Sequence, residues 1–416
     1  MDGHRHFTGQ VRGNVLRRSP VGRRLIKLTV VAFFLTFSAC SKQAENQVDL
    51  SPVEPSLFEA LRDNFARQRF SIGKSGRLLV IQGRAYGKDI AFLLDTNSTV
   101  TWFDDSHRDQ MGAPTHFDKT ETTGTILDTS FYNPPQIVIG GVSAIPRGSV
   151  ACHDLSELSA AAGIPFDGIL GMDVLGQFVL QIDFDRGTVE FLTEATTGNS
   201  SGWPLRIYYM NSIPHVTMDC GDRPVMFALD TGATDSCIKH ETFEQLGENR
   251  HLIIGPSYSA ATATGIIQAR SGLLLVGELG IYSHHNLLIT EGPINLLGLS
   301  YLSRYKLSFD FPRGVATFTP SDRYHENDRL GTSGMTPIRV NDKWIIARVK
   351  PGSPAEGVVK QNDEILTVNE EDASTMDLFR MRELLTTGPN ALIHLRLKRD
   401  GVEMTADYTT NDRLAR

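Results

Sequence analysis

Two stretches of the chain carry the same succession of apolar and polar positions. Residues 91–103 read AFLLDTNSTVTWF and residues 226–238 read MFALDTGATDSCI. In each, an apolar run ends in an aspartate, Asp95 or Asp230, followed by threonine and small polar residues. This pattern predicts a buried strand that delivers one carboxylate into a tight turn. Alternating positions just upstream predict a hairpin in both cases, residues 77–82 with 88–94 around Tyr86-Gly87, and residues 215–219 with 225–229. Downstream, each copy meets an apolar pair and a glycine, Ile169-Leu170-Gly171 and Leu296-Leu297-Gly298. Each then closes on a segment matched at Leu180/Leu307, Asp183/Asp310, Phe184/Phe311, Arg186/Arg313 and Gly187/Gly314. Agreement at both ends of the unit predicts a duplicated, mainly β architecture, with one copy over residues 76–200 and the other over 201–320.

Between these landmarks the pattern predicts a strand at 136–139 and two loops rich in Gly, Thr or Ala at 120–128 and 259–272. Residues 321–327 are polar and read as a linker to a third unit, residues 328–410. That unit reads as small and α+β. Strands are expected at 344–349, 363–368, 391–397 and 402–408, with an amphipathic helix at 377–385 carrying Leu378, Met381, Leu384 and Leu385. Gly352-Ser353-Pro354-Ala355 reads as a turn opening a short helix. Near the other end, Ser56-Leu57-Phe58-Glu59 has the form of a capping box, and Leu57, Phe58, Leu61 and Phe65 share one helical side. Residues 41–75 are thus expected to be a polar tether followed by an N-terminal helix that packs on the domain behind it.

The 416 residues leave room for two to four domains. Lys+Arg 41 against Asp+Glu 48 gives a formal charge of -7, with no basic face, so no nucleic-acid partner is expected. The basic residues that cluster, Arg17, Arg18, Arg23, Arg24 and Lys27, precede an apolar stretch at 28–39. That stretch is shorter than the ~20 residues of a membrane-crossing helix and reads as an export signal, so residues 1–40 are expected to be a leader. Cys40 directly after Ser38-Ala39 resembles the lipobox of bacterial lipoproteins, with Phe37 where leucine is usual; ordinary signal cleavage is the alternative. The resemblance implies lipidation at Cys40 and a periplasmic protein of a Gram-negative bacterium, anchored to a membrane through lipid. Cys152, Cys220 and Cys237 then remain and allow at most one internal disulfide; they read as small buried hydrophobes.

Asp95 and Asp230, each ending a buried strand of one copy, are placed to meet across a pseudo-two-fold axis. Carboxylates that close cannot both ionise easily, so they share one proton. Such a pair does acid and base work together on a water and a carbonyl, and requires neither metal nor cofactor. Competing chemistries find less support. His284-His285 diverge on a strand without a third ligand and read as surface histidines, no Gly-x-Ser-x-Gly elbow occurs, and Asp235 reads as a solvated turn residue.

Asp230-Thr231-Gly232 with Leu296-Leu297-Gly298, and Asp95-Thr96-Asn97 with Ile169-Leu170-Gly171, resemble the pepsin/retropepsin aspartic proteases over about residues 76–319. The resemblance implies a bilobal acid-protease β-barrel domain that hydrolyses peptide or protein substrates, with Asp95 and Asp230 as the catalytic dyad. It further implies that Thr96 and Thr231 brace the turns, that Asn97 and Gly232 complete them, and that Gly171 and Gly298 pack beneath. The segments 120–128 and 259–272 hold the positions of its substrate-covering hairpins. Asn97 stands where the family has glycine. Asparagine tolerates a left-handed backbone and keeps the N–H that reaches the carboxylate, but it brings a polar side chain to the dyad. The alternative is a non-catalytic peptide-binding or scaffold protein of the periplasm; dimerisation through second copies is a weaker one, since the first copy is intact.

The third unit resembles a PDZ domain through Val349-x-x-Gly352-Ser353-Pro354-Ala355 and Asn362-Asp363-Glu364-Ile365-Leu366. The resemblance implies capture of an extended chain end as an added strand, with a carboxylate-binding loop near 334–338, where Pro337 removes a backbone donor. A docking or regulatory role is the alternative.

Overall fold

The structure is a computed structural model and describes residues 68–71, 78–122, 125–140, 142–192, 202–262, 265–328 and 330–412. The leader with Cys40, most of the tether and the helix expected after Ser56 lie outside the described residues. The chain is mainly β.

In the first repeat, Val80–Ala85 and Lys88–Leu94 form the expected hairpin. The chain reverses at Tyr86 and Gly87, both at positive φ. Lys88–Leu94 then pairs in parallel with Gly168–Leu170, and Gly168–Leu170 pairs antiparallel with Trp102–Asp104. The second repeat builds the same arrangement. Ile213–Cys220 and Arg223–Leu229 form its hairpin, Leu296–Leu297 runs parallel to Arg223–Leu229, and Cys237–Lys239 pairs antiparallel to Leu296–Leu297. Both aspartates therefore follow a strand flanked by a parallel neighbour, which fixes where each carboxylate leaves its sheet. Toward their aspartate ends the strands are apolar because both faces are covered there: Phe92, Leu94, Trp102 and Phe103 are buried in one copy, Phe227, Leu229 and Ile238 in the other.

A six-stranded sheet joins the repeats, in the order Gln68–Ser71, Thr188–Leu192, Val179–Asp183, Tyr305–Asp310, Val315–Pro320, Trp203–Arg206. Val179–Asp183 and Tyr305–Asp310 pair antiparallel at its centre, with Gln181 opposite Ser308. The step in sequence that takes Gly171 to Gly298 also takes Gln181 to Ser308. That pair maps onto itself, so the internal two-fold passes through it.

Several expectations are corrected. The loop reading of residues 120–128 and 259–272 gives way to the hairpin form expected there from the resemblance: His116–Thr122 pairs with Thr125–Tyr132, and Leu252–Thr262 with Gly265–Leu279. Residues 321–327 are not a free linker. Ser321 N donates to Arg304 O at 2.9 Å, and the buried Arg304 guanidinium bonds Asp328 at 2.7 Å just beyond.

The third unit is a sheet in the order Met335–Val340, Lys343–Val349, Glu364–Val368, Leu392–Arg399, Val402–Thr409, with the helix Leu378–Leu385 against it. Asp377 caps that helix, its side chain accepting from Arg380 N at 2.7 Å. The short helix expected after Gly352 is absent; Gly352 and Gly357 both take positive φ, which breaks a helix into separate turns. Pro337 lies within strand Met335–Val340 at a bulge rather than in a loop.

Candidate active site

Each aspartate is fixed from the strand beneath it. Asp95 N donates to Leu170 O and Asp230 N to Leu297 O, both at 3.0 Å, so the parallel strands hold the first atom of each turn. The turns are then tied to each other. Thr96 Oγ1 donates to Leu229 O at 2.6 Å, and Thr231 Oγ1 donates to Leu94 O at 2.8 Å. Each hydroxyl also accepts from the opposite threonine's backbone, Thr231 N to Thr96 Oγ1 at 3.1 Å and Thr96 N to Thr231 Oγ1 at 3.2 Å. The result is a reciprocal, fully buried knot joining the repeats immediately beside both carboxylates. Gly232 lies so close to the first turn that a Cβ there would sit 2.6 Å from Asp95 Cγ.

Inside the knot the two carboxyls are inequivalent. Asp95 Oδ1 accepts from Asn97 N and Asp230 Oδ1 from Gly232 N, both at 2.8 Å. Asp230 Oδ2 also accepts from the Asn97 side chain, Nδ2, at 3.0 Å, a bond that crosses from one repeat to the other. Asp95 Oδ2 is buried without a hydrogen-bond partner among the described residues. Burial pushes both carboxyls up. Asp95 is raised well above the usual carboxylate range by desolvation and then by the Asp230 charge. Asp230 is pushed up to about 7 by desolvation, opposed by donors from the Asn97 side chain and the Gly232 and Ala233 backbone. Hydrogen bonds to the charged form favour it, so the shared proton belongs on Asp95 and the charge on Asp230.

Asn97 thus acts differently from the sequence expectation. Its N–H does reach Asp95, but its backbone is not left-handed. The side chain, expected to bring bulk and polar groups close to the dyad, is a donor to the opposite carboxylate.

A further layer supports the turns. Gly171 and Gly298 lie so close under them that a Cβ would overlap the Val100 carbonyl in one case and the Asp235 carbonyl in the other. Met172 N donates to Ser98 O at 2.7 Å, and Leu299 N to Ala233 O at 2.8 Å. Thr101 donates to the buried Asp173 carboxyl through Oγ1 at 2.7 Å and N at 2.9 Å. Desolvation raises Asp173 to about 6 despite those bonds. In the second repeat the corresponding pair is Ser236 and Ser300, with hydroxyls 3.1 Å apart. Sequence reasoning missed both pairs. The available signal was positional: Thr101 and Ser236 lie at one offset from their aspartates, Asp173 and Ser300 at one offset from their glycines.

Two other residues depart from expectation. Asp235 is half-buried and paired rather than simply solvated, because Arg382 Nη2 donates to its Oδ2 at 2.7 Å. His284 is not at the surface: it is buried among Tyr301, Tyr305 and Tyr324, with Nε2 2.6 Å from Tyr305 OH. Desolvation, then the nearby Arg304 charge, lowers it to about 4, so it stays neutral there. Cys152, Cys220 and Cys237 are buried and free.

A cavity of ≈160 Å³ lies below the second turn, lined by Thr234, Asp235 and Leu299 but by neither carboxylate of the pair. Asp95 and Asp230 are themselves 0% exposed. No family model matches the chain, and no curated protein matches it significantly.

Proposed function

We propose that the chain is an aspartic endopeptidase of the pepsin/retropepsin type, with Asp95 and Asp230 as its dyad. The observation that carries the reading is the reciprocal Thr96–Thr231 knot, which holds two buried, electrostatically inequivalent carboxyls side by side from equivalent positions of a duplicated fold. In the reaction, Asp230 takes a proton from a water between the carboxyls, and the water oxygen adds to the peptide carbonyl carbon. Asp95 gives its proton to the carbonyl oxygen, which takes the π electron pair. The tetrahedral diol collapses when the nitrogen accepts the proton held by Asp230; the C–N bond breaks and one diol hydroxyl returns its proton to Asp95. No metal or cofactor enters this scheme.

The two repeats are read as the lobes of the acid-protease fold, and residues 328–410 as a PDZ-like domain whose ligand is a chain end. The strand order and the helix Leu378–Leu385 support the latter. Export with lipidation at Cys40 completes the reading, placing the enzyme in the cell envelope; a labelled fatty acid is expected on the wild type and not on Cys40→Ala, and equal labelling rejects the anchor.

Two observations favour a second reading, a non-catalytic peptide binder: the Asn97 amide occupies an oxygen of Asp230, and the pair is closed to solvent. Incubation with a mixed peptide library, with and without a hydroxyl-bearing transition-state mimic, separates the two. The protease reading expects cleavage that the mimic abolishes; peptides retained intact at every pH from acid to neutral support the binder.

A further inference from the structure

The third unit reaches the second turn through Arg382. Arg382, on helix Leu378–Leu385, donates from Nη2 to Asp235 Oδ2 at 2.7 Å and from Nη1 to Thr234 Oγ1 at 3.3 Å. Thr234 and Asp235 lie between Asp230 and strand Cys237–Lys239, in the stretch that rests on the glycine layer. Thr234 O accepts from Ser300 N at 2.8 Å, and the Asp235 carbonyl is the group packed against Gly298. The guanidinium therefore grips the backbone link that joins Asp230 to its support.

The two repeats differ in a way that gives this grip a purpose. In the first, the brace beneath the turn is the Asp173 carboxyl, which accepts two hydrogen bonds from Thr101 and, raised by burial to about 6, is ionised at neutral pH. In the second, the same place is held by the neutral Ser236–Ser300 pair. Hydrogen bonds with an ionised partner are roughly twice as strong as neutral ones. The second turn thus has the weaker internal brace, and Arg382 adds a charge-assisted one from outside. Packing does not replace it there, since the ≈160 Å³ cavity opens between Leu299 and Ser300 on one side and Arg382 and Thr386 on the other. The helix carrying Arg382 is itself fixed at its start: Arg339 Nη1 and Trp344 Nε1 donate to Met376 O at 3.1 and 3.3 Å.

We propose that Arg382 is a positioning residue for Asp230, so that the third unit forms part of the catalytic apparatus of the second turn. The inference rests on the protease reading for its kinetic consequence, not for its structural one.

The test uses the full chain with Arg382→Ala, Asp235→Ala and the double variant, read by peptide kinetics and by backbone hydrogen exchange. Loss of the grip is expected to lower kcat about three- to tenfold, the range for a modest misplacement of a reacting group, while KM stays within about twofold. The double variant is expected to be no worse than either single variant, because both remove one contact. Exchange is expected to quicken at residues 231–237 and at Leu299 and Ser300, and to stay unchanged at residues 96–101. Unchanged kcat in an active enzyme, additive losses, or exchange that quickens equally in both turns overturns the proposal. If the wild type hydrolyses nothing, the protease reading has failed on its own terms and the exchange arm decides: quickening confined to the second turn upholds the grip, and no quickening removes it.

Discussion

Asn97 shows most clearly what a single residue does to this site. Its side chain donates to the carboxylate that must be ionised, and so holds the Asp230 pKa below the value burial alone would give. Asn97→Gly removes that donor. A hydrogen bond to a charged group is worth roughly 1.5–3 kcal/mol, so the acidic limb of the pH–kcat/KM profile is expected to move up by about one to two pH units. The direction follows from the proposed role of Asp230 as the base, since a higher pKa leaves it protonated over more of the acid range. An unmoved limb removes the assignment of base to Asp230. The meeting of Asp95 with Asp230 and of Thr96 with Thr231 was legible in the chain because residue type and spacing repeat. The Asn97–Asp230 and Arg382–Asp235 contacts were not, because each joins residues far apart in sequence with no repeat to mark the pairing, whereas Thr101–Asp173 left only the offset it shares with Ser236–Ser300. His284 was misread for the same reason: its neighbours Tyr301, Tyr305 and Tyr324 reach it only through the fold.

At the scale of elements, the turns depend on the close approach of the strands' glycine ends. Gly171→Ala and Gly298→Ala place a methyl into backbone carbonyls rather than into a yielding side chain. Each is expected to cost about 3 kcal/mol of stability, measurable by denaturant unfolding. A loss below about 1 kcal/mol at both positions shows that the layer beneath the turns is looser than described. Strands with alternating or continuous apolar residues, such as Lys88–Leu94 and Arg223–Leu229, were readable from the sequence almost to their ends. The long hairpins were placed only through the resemblance and not by their local pattern. The Thr, Gly and Ala content of residues 120–128 and 259–272 has the composition of loops, yet cross-strand pairing carries both ladders to Thr122–Thr125 and Thr262–Gly265. The helix expected after Gly352 failed through two positive-φ glycines, whose preference overrode the local pattern.

Across the whole molecule, duplication explains the architecture, and the site it creates carries a cost. Asp230 and Asp173 are raised to about 7 and about 6, and Asp95 higher than its usual range, each first by burial. A carboxyl whose folded pKa exceeds its unfolded value binds protons more tightly when folded. Its contribution to stability is complete below about pH 4 and is lost as pH rises through the folded value. Thermal stability is therefore expected to fall by a few kcal/mol between about pH 4 and pH 8, since raising one carboxyl's pKa tenfold in proton affinity corresponds to about 1.4 kcal/mol. Glu291, lowered by its Arg270 bond, acts oppositely and only in more acidic solution. Asp230→Asn is expected to flatten much of the decline and to be the more stable protein at neutral pH. A decline of the same size in the variant assigns the pH dependence to other groups.

That variant also provides the most direct test of the central claim. Purified wild type and Asp230→Asn are compared for cleavage of the same peptide library, with folding checked in parallel. The account predicts products from the wild type and none above background from a variant that remains fully folded. Cleavage that persists in the folded variant contradicts it.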